Sequence, residues 1–149
     1  MALIRGFNLP DDLYYLVEKH VWAAAPVAGI SRVGLTPVAY QLLRHSLVAI
    51  SVKASVIGRE VAKGKSVAMI ESLKFIGPLP APFTGAVLRA NPRLADEPAI
   101  AEQDPYGEGW IVEMQPVDWP AAVAELVTGE AGLAVYRKLL ESQNIDTNT

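Results

Sequence analysis

The sequence predicts a mainly β fold, a small sandwich or flattened barrel with helices at its periphery. Three observations carry that reading. Short apolar, β-branched runs recur along most of the chain, each closed by Gly, Pro or an Asn-Pro pair. One helical stretch interrupts them, just after residue 36. The composition then turns Ala-, Leu- and Glu-rich from Trp119 to Leu140, and Gly129 and Gly132 divide that tail into two short outer helices. With 149 residues, 51% of them apolar, and a mean hydropathy of +0.23, the chain supplies enough core for one domain over residues 1–149. Its β core is expected over about 13–118, its helical segment over about 119–141, and its termini are expected to be loose.

In chain order, Met1 to Asn8 reads as an arm. Pro10-Asp11-Asp12 opens either a first strand over Leu13–Val17 or a helical turn starting after Pro10. His20-Val21-Trp22 continues as an edge strand that Pro26 ends, and a second strand, Ala28 to Leu35, is broken by Gly29 and Gly34. Thr36 supplies a cap hydroxyl and Pro37 an N1 proline, so Val38 to His45 fits a short amphipathic helix with Val38, Leu42 and His45 along it. Leu47–Val52 is a strand, and Gly58 and Gly64 mark the turns leading to the next strand at Ser66. Further on, Ala86–Ala90 is halted by Asn91-Pro92, Leu94–Glu97 is a polar loop closed by Pro98, and Ala99–Ala101 is a short apolar step. Asp104 to Gly109 is a tight turn before a strand from Trp110 to Met114, and Asn144 to Thr149 is expected to fray.

The chemistry concentrates around Met69-Ile70-Glu71-Ser72-Leu73-Lys74-Phe75. The apolar run from Ser66 to Ile70 meets a polar step with a single lysine, and after an apolar interval the chain resumes at Pro80-Ala81-Pro82-Phe83-Thr84-Gly85 and the strand Ala86-Val87-Leu88. Lys74 therefore sits at the exposed end of a hairpin, its ammonium in water, a good handle for covalent modification. A solvated surface lysine is the competing reading.

Composition narrows the rest. Cysteine is absent, so the chain has no disulfide, no thiolate metal cluster and no sulfur nucleophile, and any redox chemistry must be borrowed from a cofactor. A net charge of −3 and a pI near 5.4 argue against nucleic acid. The amino terminus lacks the pattern of a secretory signal and no run approaches the length of a membrane span, so the cytoplasm is expected, with no membrane partner. Charge is unevenly spread: Arg44, Lys53, Arg59, Lys63, Lys65 and Lys74 face only Glu60 and Glu71 in the stretch 44–74, while eleven of the carboxylates lie from Asp96 onward. The basic set is placed to meet an acidic partner by electrostatic steering. His20 and His45 are too isolated for a metal site, and no nucleophile-base pair is visible, so a monomeric non-enzyme is expected.

Glu71-Ser72-Leu73-Lys74, Gly85 eleven residues later, and the run Asp104-Pro105-Tyr106-Gly107-Glu108-Gly109-Trp110 together resemble the lipoyl-bearing H protein of the glycine cleavage system. His20-Val21-Trp22, Val33-Gly34-Leu35-Thr36, Val61-Ala62-Lys63-Gly64 and Tyr136-Arg137-Lys138-Leu139-Leu140 support the match. The resemblance implies the biotinyl/lipoyl hammerhead, two small sheets related by a pseudo-twofold with the lysine at a hairpin tip. It implies lipoate in amide linkage on Lys74, Glu71 as the residue read by the lipoate-protein ligase, and Gly85 as a requirement of hairpin geometry. Tethering would give each partner a high effective concentration of the carried group without tight docking.

Three departures stand out. The glycine-cleavage pattern has small, polar residues after the lysine where this chain has Phe75-Ile76-Gly77-Pro78-Leu79-Pro80, a glutamate where Val21 stands, and acidic rather than basic residues between helix and lysine. These changes look like those of the lipoate-binding proteins of sulfur-oxidising prokaryotes. They imply a carrier of sulfur, or of its electrons, to a heterodisulfide-reductase-like complex. The alternative is a divergent glycine-cleavage carrier holding an aminomethyl group, with glycine decarboxylase, aminomethyltransferase and dihydrolipoamide dehydrogenase as partners. A relative that kept the fold without the modification is a third.

Overall fold

Alternating and continuous apolar runs do become strands, and their pairing in space sets the lysine hairpin apart from the larger sheet. The computed structural model describes residues 3–148. Its elements are β1 (Leu3–Ile4), β2 (Phe7–Asn8), β3 (Tyr14–Leu16), β4 (Val21–Ala23), β5 (Ser31–Leu35), α1 (Pro37–Leu42), β6 (Leu47–Ser51), β7 (Glu60–Val61), β8 (Ser66–Ser72), β9 (Ile76–Pro80), β10 (Gly85–Ala90), α2 (Ile100–Gln103), β11 (Val112–Pro116), α3 (Trp119–Ala124), β12 (Val127–Thr128) and α4 (Gly129–Ser142). A seven-stranded sheet runs β12-β3-β4-β5-β11-β10-β7, a three-stranded one β6-β8-β9, and β1-β2 form a separate ribbon. Among the described residues, the pairings between these strands are antiparallel. The mainly β architecture with carboxyl-terminal helices is the one expected.

β4 is the first correction, because it is central rather than an edge. His20 adopts a left-handed φ of 58° and folds β4 back on β3, while Ala28 (φ 52°) and Gly29 (φ 80°) turn the chain again so that β5 returns on its other side. The second strand accordingly starts at Ser31, not Ala28. β4 is buried on both faces. Val21 and Ala23 join a core with Val33, Leu79, Phe83, Ile111 and Met114, and Trp22 joins another with Tyr15, Trp110, Tyr136 and Leu140. Gly34 answers to the indole, since a Cβ there would lie 2.8 Å from Trp22 Nε1.

The helix after residue 36 ends earlier than His45. Arg44 and His45 both take left-handed φ values, 58° and 55°, a conformation costing about 1–2 kcal/mol for each such residue. The Thr36 hydroxyl does not cap α1. It pairs instead with the Tyr136 hydroxyl at 2.9 Å. The apolar step at Ala99–Ala101 is part of a helical turn, α2, and the Trp110 strand begins at Val112. In the tail, Gly132 does not break α4. It lets the helix lie against β12, where a Cβ would be 2.8 Å from the Val127 carbonyl carbon.

The termini are the largest correction. Ile4, Phe7, Leu9 and Ile145 are buried, Arg5 Nε donates to the Ile145 carbonyl at 2.6 Å, and the Thr147 N–H donates to the Arg5 carbonyl at 3.3 Å. Each end hides the other's apolar surface. Met1, Ala2 and Thr149, included in the expected loose segments, lie outside the described residues.

The lysine hairpin as candidate functional site

The apolar interval after Lys74 is itself the partner strand. β9 pairs with β8 in the register Glu71↔Ile76, Met69↔Pro78 and Ser66↔Pro80, whereas Ala86–Leu88, expected as the other arm of the hairpin, belongs to β10 in the larger sheet. Two prolines fit β9 because it is the edge of its sheet, where a missing N–H costs little.

Ser72 closes the turn. Its N–H and its hydroxyl both donate to the Phe75 carbonyl, at 2.8 and 3.2 Å, and the Leu73 N–H donates to the Ser46 carbonyl at 3.1 Å, tying the tip to the segment after α1. Gly77 is buried beneath the Phe75 ring, where a Cβ would stand 2.4 Å from the ring carbons. The turn is thus fixed from below while its top is bare: Leu73 is 79%, Ile76 65% and Phe75 56% exposed.

Lys74 is exposed at this tip and, among the described residues, makes no ion pair. It lines an open depression of about 700 Å³ with Leu42, Leu43, Arg44, Ser72 and Phe75. Glu71, on β8 between Ala49 and Ile76, is exposed and likewise without an ion pair among the described residues. The basic stretch is less uniform than its sequence, since Lys63 pairs with Glu125 at 3.0 Å.

Gly85 is not in the lysine hairpin. It opens β10, between Val61 of β7 and Pro116 of β11, and a Cβ would meet the Gln115 carbonyl oxygen at 2.4 Å. The Asp104–Trp110 run is a built turn. Asp104 accepts from the N–H groups of Glu108 (2.9 Å, carboxylate) and Gly109 (2.8 Å, carbonyl), and Asn91 Nδ2 donates to the carbonyls of Glu108 and Trp110, each at 2.7 Å. Arg32 and Arg89 lie over the Trp110 ring at 4.8 and 5.1 Å and both donate to Glu113. Burial works to raise the Glu113 carboxyl, but the bonds from Arg89 and Arg32 outweigh it and hold it below the ordinary glutamate range. Tyr106 from the same run donates to the Asn8 carbonyl at 2.7 Å, pinning the amino-terminal segment.

The two histidines are occupied elsewhere. His20 Nδ1 meets the Tyr136 hydroxyl at 2.7 Å and is pushed down to about 4 by burial. His45 contacts Glu102 of α2 and Gln41 of α1. The Arg44-His45 turn, Ser72 and Gly77 escaped the sequence reading. The available signal was a helix ending in Leu-Leu-Arg-His-Ser with no glycine to take its left-handed stop.

A β module that holds an exposed lysine, without an ion pair among the described residues, on a hairpin tip beside an open depression has the build of a protein that carries a covalently attached group. Comparison with known proteins agrees. The family model for "Glycine cleavage H-protein" matches residues 13–141. "Glycine cleavage system H protein 2" of Aquifex aeolicus is 37% identical over 95% of this chain and 86% of its own length, and "Probable glycine cleavage system H protein 2" of Sulfurisphaera tokodaii is 35% identical over 97% of each. Among solved structures, a glycine cleavage system H protein from Mycobacterium marinum superposes with a TM-score of 0.72 at 32% identity, over 92% of this chain and all of that one. The chain belongs to the glycine cleavage H-protein family. Proteins of this family are non-catalytic carriers that hold lipoate covalently on a lysine. The tip fits such a group: its amine is exposed and unpaired, and the chain has no cysteine to supply a thiol otherwise. No helix among the described residues is long and apolar enough to cross a membrane.

Proposed function

We propose that Lys74 bears the lipoyl group. The observation that carries this is its unpaired position on a turn locked by Ser72 and Gly77, in a family whose lysine carries lipoate. When attached, lipoate supplies the dithiol-disulfide couple that a chain without cysteine lacks. Glu71, exposed on the strand leading into the turn, is the residue a lipoate-protein ligase reads. Gly85 serves through backbone contact between β10 and β11 rather than through the hairpin itself.

The loaded chain acts as a monomeric carrier in the cytoplasm, a single domain over residues 1–149, shuttling an aminomethyl group between glycine decarboxylase and aminomethyltransferase, with dihydrolipoamide dehydrogenase restoring the disulfide. The names of its relatives support this reading. A second reading is favoured by a specific observation. The exposed Leu73, Phe75 and Ile76, with Arg44, which has no ion pair among the described residues, make a greasy, basic tip, which suits carriage of sulfur or its electrons to a heterodisulfide-reductase-like complex.

The attachment is tested by intact mass after co-expression with a competent lipoate ligase. One lipoyl adduct is expected on the wild-type chain and none on Lys74→Arg. An unmodified wild-type chain, or an adduct surviving the substitution, removes the proposal. Incubation with glycine decarboxylase and labelled glycine then separates the two readings, because efficient label transfer to the carrier excludes the second.

A further inference from the structure

We propose that His45 and Glu102 are positioning residues for Lys74: their contact clamps the segment that holds the lysine turn against the body of the protein. The inference rests on attachment at Lys74 and concerns how that amine is presented to the enzyme that modifies it. The bonds from Ser72 to the Phe75 carbonyl close the turn on itself, but they leave open where the turn sits. Its place is set by the Leu73 N–H, which donates to the Ser46 carbonyl at 3.1 Å. Among the described residues this is the only hydrogen bond from Leu73, Lys74 or Phe75 to a residue outside the hairpin.

Ser46 precedes β6 and depends on the turn that ends α1. Its N–H and hydroxyl donate to the Leu43 carbonyl at 3.2 and 2.6 Å, the Arg44 N–H to the Gln41 carbonyl at 2.9 Å, and the His45 N–H to the Tyr40 carbonyl at 3.0 Å. Those bonds all run back into one short helix, and the two consecutive non-glycine residues in the left-handed region, Arg44 and His45, strain the turn they close. Support from outside comes through the His45 ring. Its Nδ1 meets the Glu102 carboxylate, and its Nε2 lies 3.3 Å from Gln41 Oε1. Among the described residues, the Glu102 contact is the only side-chain hydrogen bond from residues 43–46 to any part of the chain beyond α1 and its own turn. Glu102 is a firm anchor. Ala101 beside it is fully buried, and Gly109 packs so closely on α2 that a Cβ there would stand 2.6 Å from the Ile100 carbonyl oxygen. Support therefore runs from α2 through Glu102 and His45 to Ser46, and from Ser46 to the turn that carries Lys74. A turn already set in place spares the modifying enzyme the ordering of a mobile amine.

The His45 side chain is 57% exposed, so breaking the contact opens no core, and Glu102→Ala breaks it without touching the left-handed turn itself. In the unmodified Glu102→Ala chain, hydrogen exchange followed by NMR is expected to run about two- to fivefold faster at the Leu73 amide, the size of one exposed pair, with the Ser72 amide unchanged. The KM of a lipoate ligase for the carrier is expected to rise by a similar factor with kcat retained. Glu102→Gln, which keeps an acceptor, is expected to retain most of the wild-type behaviour. Glu97→Ala, whose carboxylate pairs with Arg93 instead, is expected to change neither readout. Unchanged exchange at Leu73, equal acceleration at Ser72, or a Glu97→Ala effect equal to that of Glu102→Ala overturns the clamp. Faster exchange with an unchanged KM overturns its part in presenting Lys74. An adduct absent from Lys74 overturns the attachment, and the exchange rates, measured on the unmodified chain, still judge the clamp.

Discussion

The hairpin tip and the aromatic cluster around Tyr136 are opposites in construction. At the tip, Leu73, Phe75 and Ile76 are left in water, and order comes from three hydrogen bonds and one glycine. Around Tyr136, Tyr15, Trp22 and Trp110 are buried, and the Tyr136 hydroxyl joins His20 to Thr36. Both termini pack into this cluster through Ile4, Phe7 and Ile145. The contrast teaches that this chain keeps stability and delivery on different residues. A carrier's tip must enter another protein's site, so apolar surface there is held in reserve for a partner, and the fold must be secured elsewhere.

The most severe way to break that division is Tyr136→Ala. It opens a cavity in the buried cluster and strands His20 and Thr36, for an expected loss of about 4 kcal/mol and a drop of roughly 10 °C in Tm by calorimetry. The folded fraction should still accept lipoate. Failure of the folded variant to be lipoylated would show the two regions to be coupled.

A pH scan sharpens the comparison next. His20 is held at about 4 by burial against an ordinary 6.5, so between these values the unfolded chain binds a proton that the native chain refuses. Stability is thus expected to fall as pH drops from about 6.5 to about 4, by up to about 3 kcal/mol, and to level off below. Denaturant midpoints across that window check it, and His20→Gln should flatten the slope. Gly85→Ala comes after these. Its methyl would press on the Gln115 carbonyl, costing about 2 kcal/mol in urea unfolding, with lipoylation of Lys74 intact.

How much of this was legible beforehand follows the same division. The turn at Lys74 and the Asp104–Trp110 run could be read because each is local: the residues that define them touch one another. The partner strand of the hairpin was hidden by Pro78 and Pro80, which argue against a strand unless it is known to be an edge. β4 was misplaced because a three-residue apolar strand buried on both faces has no alternation to show which sheet position it takes. The packing of the termini is hidden from the sequence for a plainer reason. Arg5 and Ile145 are partners across nearly the whole chain, and neither segment has enough apolar residues to announce a core alone. Along the chain Arg44 is one of a basic set, and only pairing in space separates it from Lys63, which pairs with Glu125.

The smallest expected change in stability belongs to Phe75→Ser. The ring is more than half exposed and leans on Gly77, so unfolding should shift by no more than ~0.5 kcal/mol. Recognition should respond where stability does not. If the tip's apolar residues are what a lipoate ligase grips, its KM for the carrier should rise about fivefold with kcat retained, the ~1 kcal/mol of one aromatic contact at an interface rim. Glu71→Gln supplies the contrast on the adjoining strand. A KM that moves for Glu71→Gln and stays fixed for Phe75→Ser would assign ligase recognition to the strand, leaving the greasy tip to the enzymes that use the loaded arm.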